Sequence, residues 1–142
     1  MIEITVSELI EAELDEVFKV LLNIKDYKNW WLVPVEKIEG KKNMFKFSPL
    51  NFVEIVLIED YHIKNKELQF KYVKGPFRGT GKWELKKHPI KGLLSIKYTI
   101  KLKPINLLIG LLANTKLFRK KHSTDILNII KNIEKIKKKP NK

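Results

Sequence analysis

Residues 68–85 read LQFKYVKGPFRGTGKWEL, and the fold turns on this stretch. In an extended chain Leu68, Phe70 and Tyr72 share one face, while Gln69 and Lys71 point the other way. Past Gly75 and Pro76 the alternation resumes, with Gly79, Gly81, Trp83 and Leu85 opposed by Thr80, Lys82, Glu84 and Lys86. A period of two on both sides of a turn built from Gly75, Pro76 and Gly79 predicts an antiparallel hairpin with one buried face. That face sets large aromatics beside glycines that carry no side chain. Such a surface either packs a core or leaves space for an apolar guest.

The same period extends in both directions. Ile2, Ile4 and Val6 alternate with Glu3 and Thr5 as a first strand. Ala12, Leu14, Val17, Phe18, Leu21 and Leu22 then recur at helical spacing, with acids in the first turns where the helix dipole favours them. A short second helix over 24–31 stops before Pro34. Short strands follow over 35–40 and 44–48, around a turn at 40–43, and another strand covers 51–63, closed by a turn at 64–66. Residues 92–103 alternate most cleanly, with Ile96, Tyr98, Ile100 and Leu102 on one face. Pro104 ends that strand. A helical segment over 105–113 then leads into a long terminal helix, capped by Asn114 or Thr115 and striped by Ile126, Ile129, Ile130, Ile133 and Ile136. Strand, two helices, five or six strands and a long helix predict an α+β domain, a bent antiparallel sheet wrapped around one helix. A single domain is expected over 1–138, with a frayed basic tail at 139–142 that begins to loosen near Lys137.

A chain of 142 residues with 44% hydrophobic content has enough apolar mass for one real core. It contains no cysteine, which excludes disulfides, thiolate metal sites and thiol catalysis. No apolar run reaches the roughly 18–20 residues of a membrane span. The acidic, amphipathic start is not that of a signal peptide, so a cytoplasmic location, with membrane-peripheral contact as the variant, is expected. The net charge of +13 is almost all lysine, since only Arg78 and Arg119 are arginine. Nucleic-acid readers add arginine forks or stacked aromatics to basic grooves. None is concentrated here, and no sequence-specific nucleic-acid partner is expected. The lysines form either a solvated face or a weak attraction to an anionic surface.

Three blocks carry a family likeness. "AELDEVFKVLLNIKDYKNWW" contains a first helix followed by Asp26, Tyr27, Trp30 and Trp31; "GPFRGTGKWEL" spans 75–85; and the exit from Tyr98 to Pro104 leads into a helix bearing His122 and Asp125. Together they resemble the START-like or SRPBCC superfamily of helix-grip proteins, which includes polyketide cyclase/dehydrase-like and lipid-carrier members. The Gly-Pro-Phe-x-Gly block also resembles the coenzyme-Q-binding and ribosome-association branch, although Tyr27-Lys28 stands where that branch has Tyr-Pro. The resemblance implies an apolar cavity between sheet and terminal helix but no single chemistry.

The candidate ligand contacts are Trp30, Trp31, Phe70, Tyr72, Trp83, Ile96, Tyr98, Ile100 and His122, each of which also suits plain core packing. In this reading Gly79 and Gly81 thin the cavity wall. A guest burying ~300 Å² of apolar surface would gain roughly 7 kcal/mol before association costs, a micromolar site at best. His122 reads as a pocket hydrogen-bonder, a proton donor or a structural histidine. Arg78 reads as a headgroup clamp or an exposed turn residue. Glu54, Glu59 and Asp60 reach either the interior or the surface, since the parity of the strand around Val53 to Ile63 is not set by the sequence, and the surface is the favoured reading. The spacing of His62 and His88 suggests no metal, and neither a cofactor nor a catalytic residue is assigned. Leu107, Leu108, Ile109, Leu111 and Leu112, followed by Lys116, Arg119, Lys120 and Lys121, form either a buried cap or a peripheral contact with an anionic membrane. Non-catalytic binding or transport of a hydrophobic small molecule (lipid, quinone or polyketide-like) ranks first. A cyclase or dehydratase using His122 comes second, and a module for a ribosome or other acidic partner third.

Overall fold

The computed structural model describes residues 2–40, 43–50, 53–113 and 115–138. The basic tail at 139–142, the cap candidate Asn114, the strand start at Asn51 and part of the 40–43 turn lie outside the described residues. Along the chain come β1 (Ile2–Glu11), α1 (Leu14–Leu22), a 3-10 helix (Ile24–Asn29), β2 (Val35–Lys37), β3 (Met44–Leu50), β4 (Val53–Ile63), β5 (Glu67–Lys74), β6 (Phe77–Lys87), β7 (Leu93–Pro104), α2 (Leu107–Ala113) and α3 (Lys116–Lys138).

The strands form one antiparallel sheet in the order β1-β7-β6-β5-β4-β3-β2. Neighbours in sequence are neighbours in space except β1, which pairs with β7 in a register that sets Ile4 beside Ile100 and Ile2 beside Leu102. The apolar alternation of each strand faces α3, whose Ile126, Ile129, Ile130 and Ile133 are buried against it. Side-chain caps start both C-terminal helices: Asn106 Oδ1 accepts the Ile109 N–H at 2.9 Å, and Thr115 Oγ1 accepts the Phe118 N–H at 3.1 Å. Helix α3 also reaches β1, an edge strand of the sheet. Arg119 Nη1 donates to the Glu3 carbonyl at 3.1 Å, and the Glu11 N–H donates to Glu134 Oε2 at 2.8 Å. Backbone groups on an open sheet edge are thereby satisfied near both ends of the helix.

Three expectations need correction. Gly79 is not part of the turn; it lies within β6, paired with Tyr72 on one side and Leu102 on the other. Its φ of +143° suits glycine, and a Cβ there would run into the Lys101 carbonyl of β7. Neither Gly79 nor Gly81 opens space for a guest, because β7 fills it: the Tyr98 hydroxyl lies where a Gly81 Cβ would be. The third concerns β4. Ile55 and Leu57 alternate inward, and Glu59 follows them on the same face, with a side chain only 6% exposed, just before a bulge at Asp60 shifts the parity. Its carboxylate accepts from Asn43 Nδ2 at 2.5 Å and lies 3.1 Å from His62 Nδ1. Glu54 and Asp60 pair with Lys74 and Lys71 at the surface, as expected.

Replacing Gly79 by alanine should therefore cost more than about 2 kcal/mol in denaturant unfolding, because backbone strain and a backbone clash coincide. An unchanged midpoint would contradict the β6–β7 approach described here.

Candidate functional site

Tyr98 organises the interior. Its ring stacks obliquely on Trp83, with centroids 4.3 Å apart, and its hydroxyl reaches over Gly81 to hydrogen-bond Tyr72 on β5. A side chain at position 81 would block this crossing of β6. On one side of Tyr98 the core is solid. Trp30, Trp83, Phe70 and Phe45 pack there with Ile96, Leu68 and the α3 residues Ile130 and Ile133, all essentially without exposure. Trp30 meets Trp83 edge-on at 6.3 Å, and Phe45 meets Phe70 at 5.3 Å. Tyr27 joins this block by donating its hydroxyl proton to the Leu21 carbonyl.

On the other side, toward the end of β7 and the start of α3, the packing opens into a cavity of about 140 Å³. Its sheet wall is Phe47, Ile55, Tyr72, Phe77, Tyr98, Ile100 and Leu102. Helix α3 supplies His122, Asp125, Ile126 and Ile129, and the segment after the 3-10 helix closes one side with Trp31, Leu32 and Val33. Of the expected contacts, Trp31, Tyr72, Tyr98, Ile100 and His122 meet at this cavity. Trp30, Phe70, Trp83 and Ile96 belong to the solid half and do not line it. Leu102 was the legible omission, since it lies one pleat along β7 from Ile100, whereas Ile55 sits on a strand where no contact had been chosen and Phe77 three pleats from Trp83.

The polar groups are few and oriented. Burial pushes the Tyr98 phenol well above its ordinary range, and the neighbouring Tyr72 and Tyr27 phenols add to it. Tyr72 as a residue is half-buried, but its hydroxyl lies deep, and burial pushes it up to about 12 against the lowering effect of its bond with Tyr98. His122 Nδ1 lies 3.1 Å from the Phe118 carbonyl, which can only accept, so Nδ1 carries the proton and Nε2 of the neutral ring is left as an acceptor. The imidazole stacks on Phe118 at 4.0 Å, and Phe118 packs on Phe77 at 5.6 Å. Asp125 pairs with Lys121 at 3.3 Å. Arg78 is exposed and donates to its own turn, to the Gly75 and Phe77 carbonyls at 3.0 Å each. Among the described residues no group of three or more His, Cys, Asp or Glu could hold a metal ion.

No protein-family model matches the chain, and no curated protein matches it in sequence. Solved structures do match in shape. The protein XoxI from Bacillus cereus superposes with a TM-score of 0.74 at 10% identity, over 96% of each chain. A protein from Thermus thermophilus gives 0.75 at 18% identity, over 94% of this chain and 95% of its own. A START superfamily protein from Mycobacterium smegmatis gives 0.66 at 10% identity, over 95% and 96%. The chain has the helix-grip fold. In this helix-grip protein the seam between sheet and gripping helix is half filled by aromatics and half hollow.

The tyrosine pair gives a pH test. Both phenols ionise less readily in the folded chain than in the unfolded one, so their share of stability is fully present below pH 10 and lost as pH rises toward about 12. Unfolding free energy should fall across that window, and Tyr72→Phe should flatten the fall. An identical alkaline slope in the variant would contradict the buried assignment.

Proposed function

We propose that this protein binds a compact apolar molecule bearing one polar group, held under the first half of α3 without being transformed. The observation that carries the reading is the apolar cavity of about 140 Å³ with the Tyr72–Tyr98 pair and His122 at its wall. An engineered apolar cavity of roughly 150 Å³ stays dry and takes up benzene or xenon, so the space suits a single ring. The Tyr72 and Tyr98 hydroxyls pair with each other, which leaves one phenolic proton free to donate, and His122 Nε2, opposite the Nδ1 held by Phe118, is the candidate acceptor. One donor and one acceptor beside an apolar void favour a ring carrying a hydroxyl or carbonyl. A longer chain, as in a lipid or a prenylated quinone, would have to leave past Leu32, Val33 and Pro49. The helix-grip fold, which serves ligand-binding proteins generally, supports this reading.

Magnitudes also bear on how a guest enters. Four buried isoleucines on α3 are worth roughly 6–12 kcal/mol, comparable with the whole stability of a domain. Lifting α3 off the sheet is too costly for routine loading. Exchange therefore runs through the hollow end.

Native mass spectrometry of protein purified from its own organism should find a co-purifying small molecule. Ile55→Phe, which fills the cavity from the β4 wall, should lose that molecule at least tenfold and keep its thermal midpoint. Retention of the same mass by Ile55→Phe would sink the proposal. A proton-transfer enzyme is the second reading, favoured only by His122 and Asp125 lining the same space. It predicts that His122→Ala abolishes turnover of any substrate found, and unchanged turnover would remove it.

A further inference from the structure

Helix α2 buries little. Ile109 and Ala113 face the core, and Gly110 rests against the Pro104 ring. The other side is open: Leu107 is 80% exposed, Leu108 and Leu111 are each 66% exposed, and Leu117, at the start of α3, is 78% exposed. Four leucines standing out at one corner are unusual for a soluble surface, where single apolar residues scatter. The charge around them is mainly basic, with Glu3, which pairs in register with Lys101, the acidic residue among the cations. No acidic residue occurs between Glu84 and Asp125. Lys103 and Arg78 sit side by side in register at the end of β7 and the start of β6, Lys101 lies one pleat away, and Lys116 and Lys120 project from the first turns of α3. Among the described residues Lys101, Lys103, Lys116 and Lys120 form no ion pair.

We infer that this corner, α2 with the first turns of α3, docks the protein on an anionic lipid bilayer. The leucines would enter the headgroup boundary while the surrounding lysines meet lipid phosphates and carboxylates. Charge complementarity decides for lipid: a cationic rim around exposed aliphatic tips matches an anionic interface with an apolar layer beneath it. A second copy of the chain would bring the same cations together. No helix among the described residues is long and apolar enough to cross a membrane, so the contact is peripheral. The corner also adjoins the hollow end of the interior. The Ile105 N–H donates to the Pro76 carbonyl at 3.0 Å, and Phe77 and Phe118 pack together beside the cavity. The docking surface does not depend on what the cavity holds.

Vesicle flotation separates the outcomes. The full chain should float with phosphatidylglycerol–phosphatidylcholine vesicles and not with phosphatidylcholine alone, and added salt should weaken the association. Each basic residue at the surface is worth roughly fivefold in affinity, so Lys116→Gln with Lys120→Gln should lower binding by more than tenfold. Leu107→Gln, Leu108→Gln and Leu111→Gln combined should also lower it by at least tenfold. Because the chain has no cysteine, an environment-sensitive dye on Leu108→Cys reports on this corner alone. It should shift to the blue on vesicle addition, while the same dye on Lys91→Cys, in the β6–β7 turn at the far end of β7, should not. The inference is overturned if the leucine variant floats like the parent, if neither label shifts, or if the Leu108→Cys label shifts with protein concentration without lipid, which would make the corner a self-association surface.

Discussion

Helix α3 lies across the sheet because neither surface can face water alone. Ile126, Ile129, Ile130 and Ile133 form a stripe that must leave water, and Ile96, Tyr98, Ile100 and Leu102 form the matching face on the sheet. The helix also completes the β1 edge, where Arg119 donates and Glu134 accepts part of what a neighbouring strand would have supplied. Direction and height of the helix are thus set by hydrogen bonds at its flank and by apolar burial underneath. Every other element is arranged around that contact. The 3-10 helix and its aromatics close one side, tied to α3 by the bond from Asn132 Nδ2 to the Trp30 carbonyl at 3.2 Å.

Within that arrangement one pair of residues divides solid from hollow. Gly81 lets Tyr98 lie over β6 to meet Tyr72, and the ring lying there marks where close packing stops. Toward Trp83 and Ile96 large rings fill the seam. Toward Ile100 and Leu102 the sheet face carries aliphatic residues beside the cavity, and the start of the helix offers His122 and Asp125 in place of further isoleucines. The void follows from a change of side-chain type along two elements, with no loop held open.

Much of the fold was legible in the sequence because its elements are strongly periodic. The hairpin of β5 and β6, the alternation in β7 and the isoleucine stripe of α3 each name their buried face. Thr115 was recognisable as a cap because its hydroxyl directly precedes the helix that carries the stripe. In β4 Ile55 to Ile58 is apolar at every position, so its parity and the interior position of Glu59 could not be read from alternation, and a bulge at Asp60 shifts the parity again beyond it. Gly79 misled for a related reason: a glycine beside a Gly-Pro turn looks like turn chemistry, and only the close approach of β7 makes it a strand residue. The site was half legible. Residues pointing inward can be picked from the pattern, but which inward residues touch one another and which leave a gap depends on how far each side chain reaches across the seam. So Trp83 and Ile96, inward like Tyr98 and Ile100, fell in the filled half.

A cavity that persists without a guest should admit an inert one. Diffraction from a crystal held under xenon tests this most directly. The account predicts xenon density bounded by Tyr98, Ile100, Ile126 and Ile129, with the Tyr98 ring still resting over Gly81. An interior without xenon, in which Phe77 or Trp31 has swung in to close the gap, would contradict it.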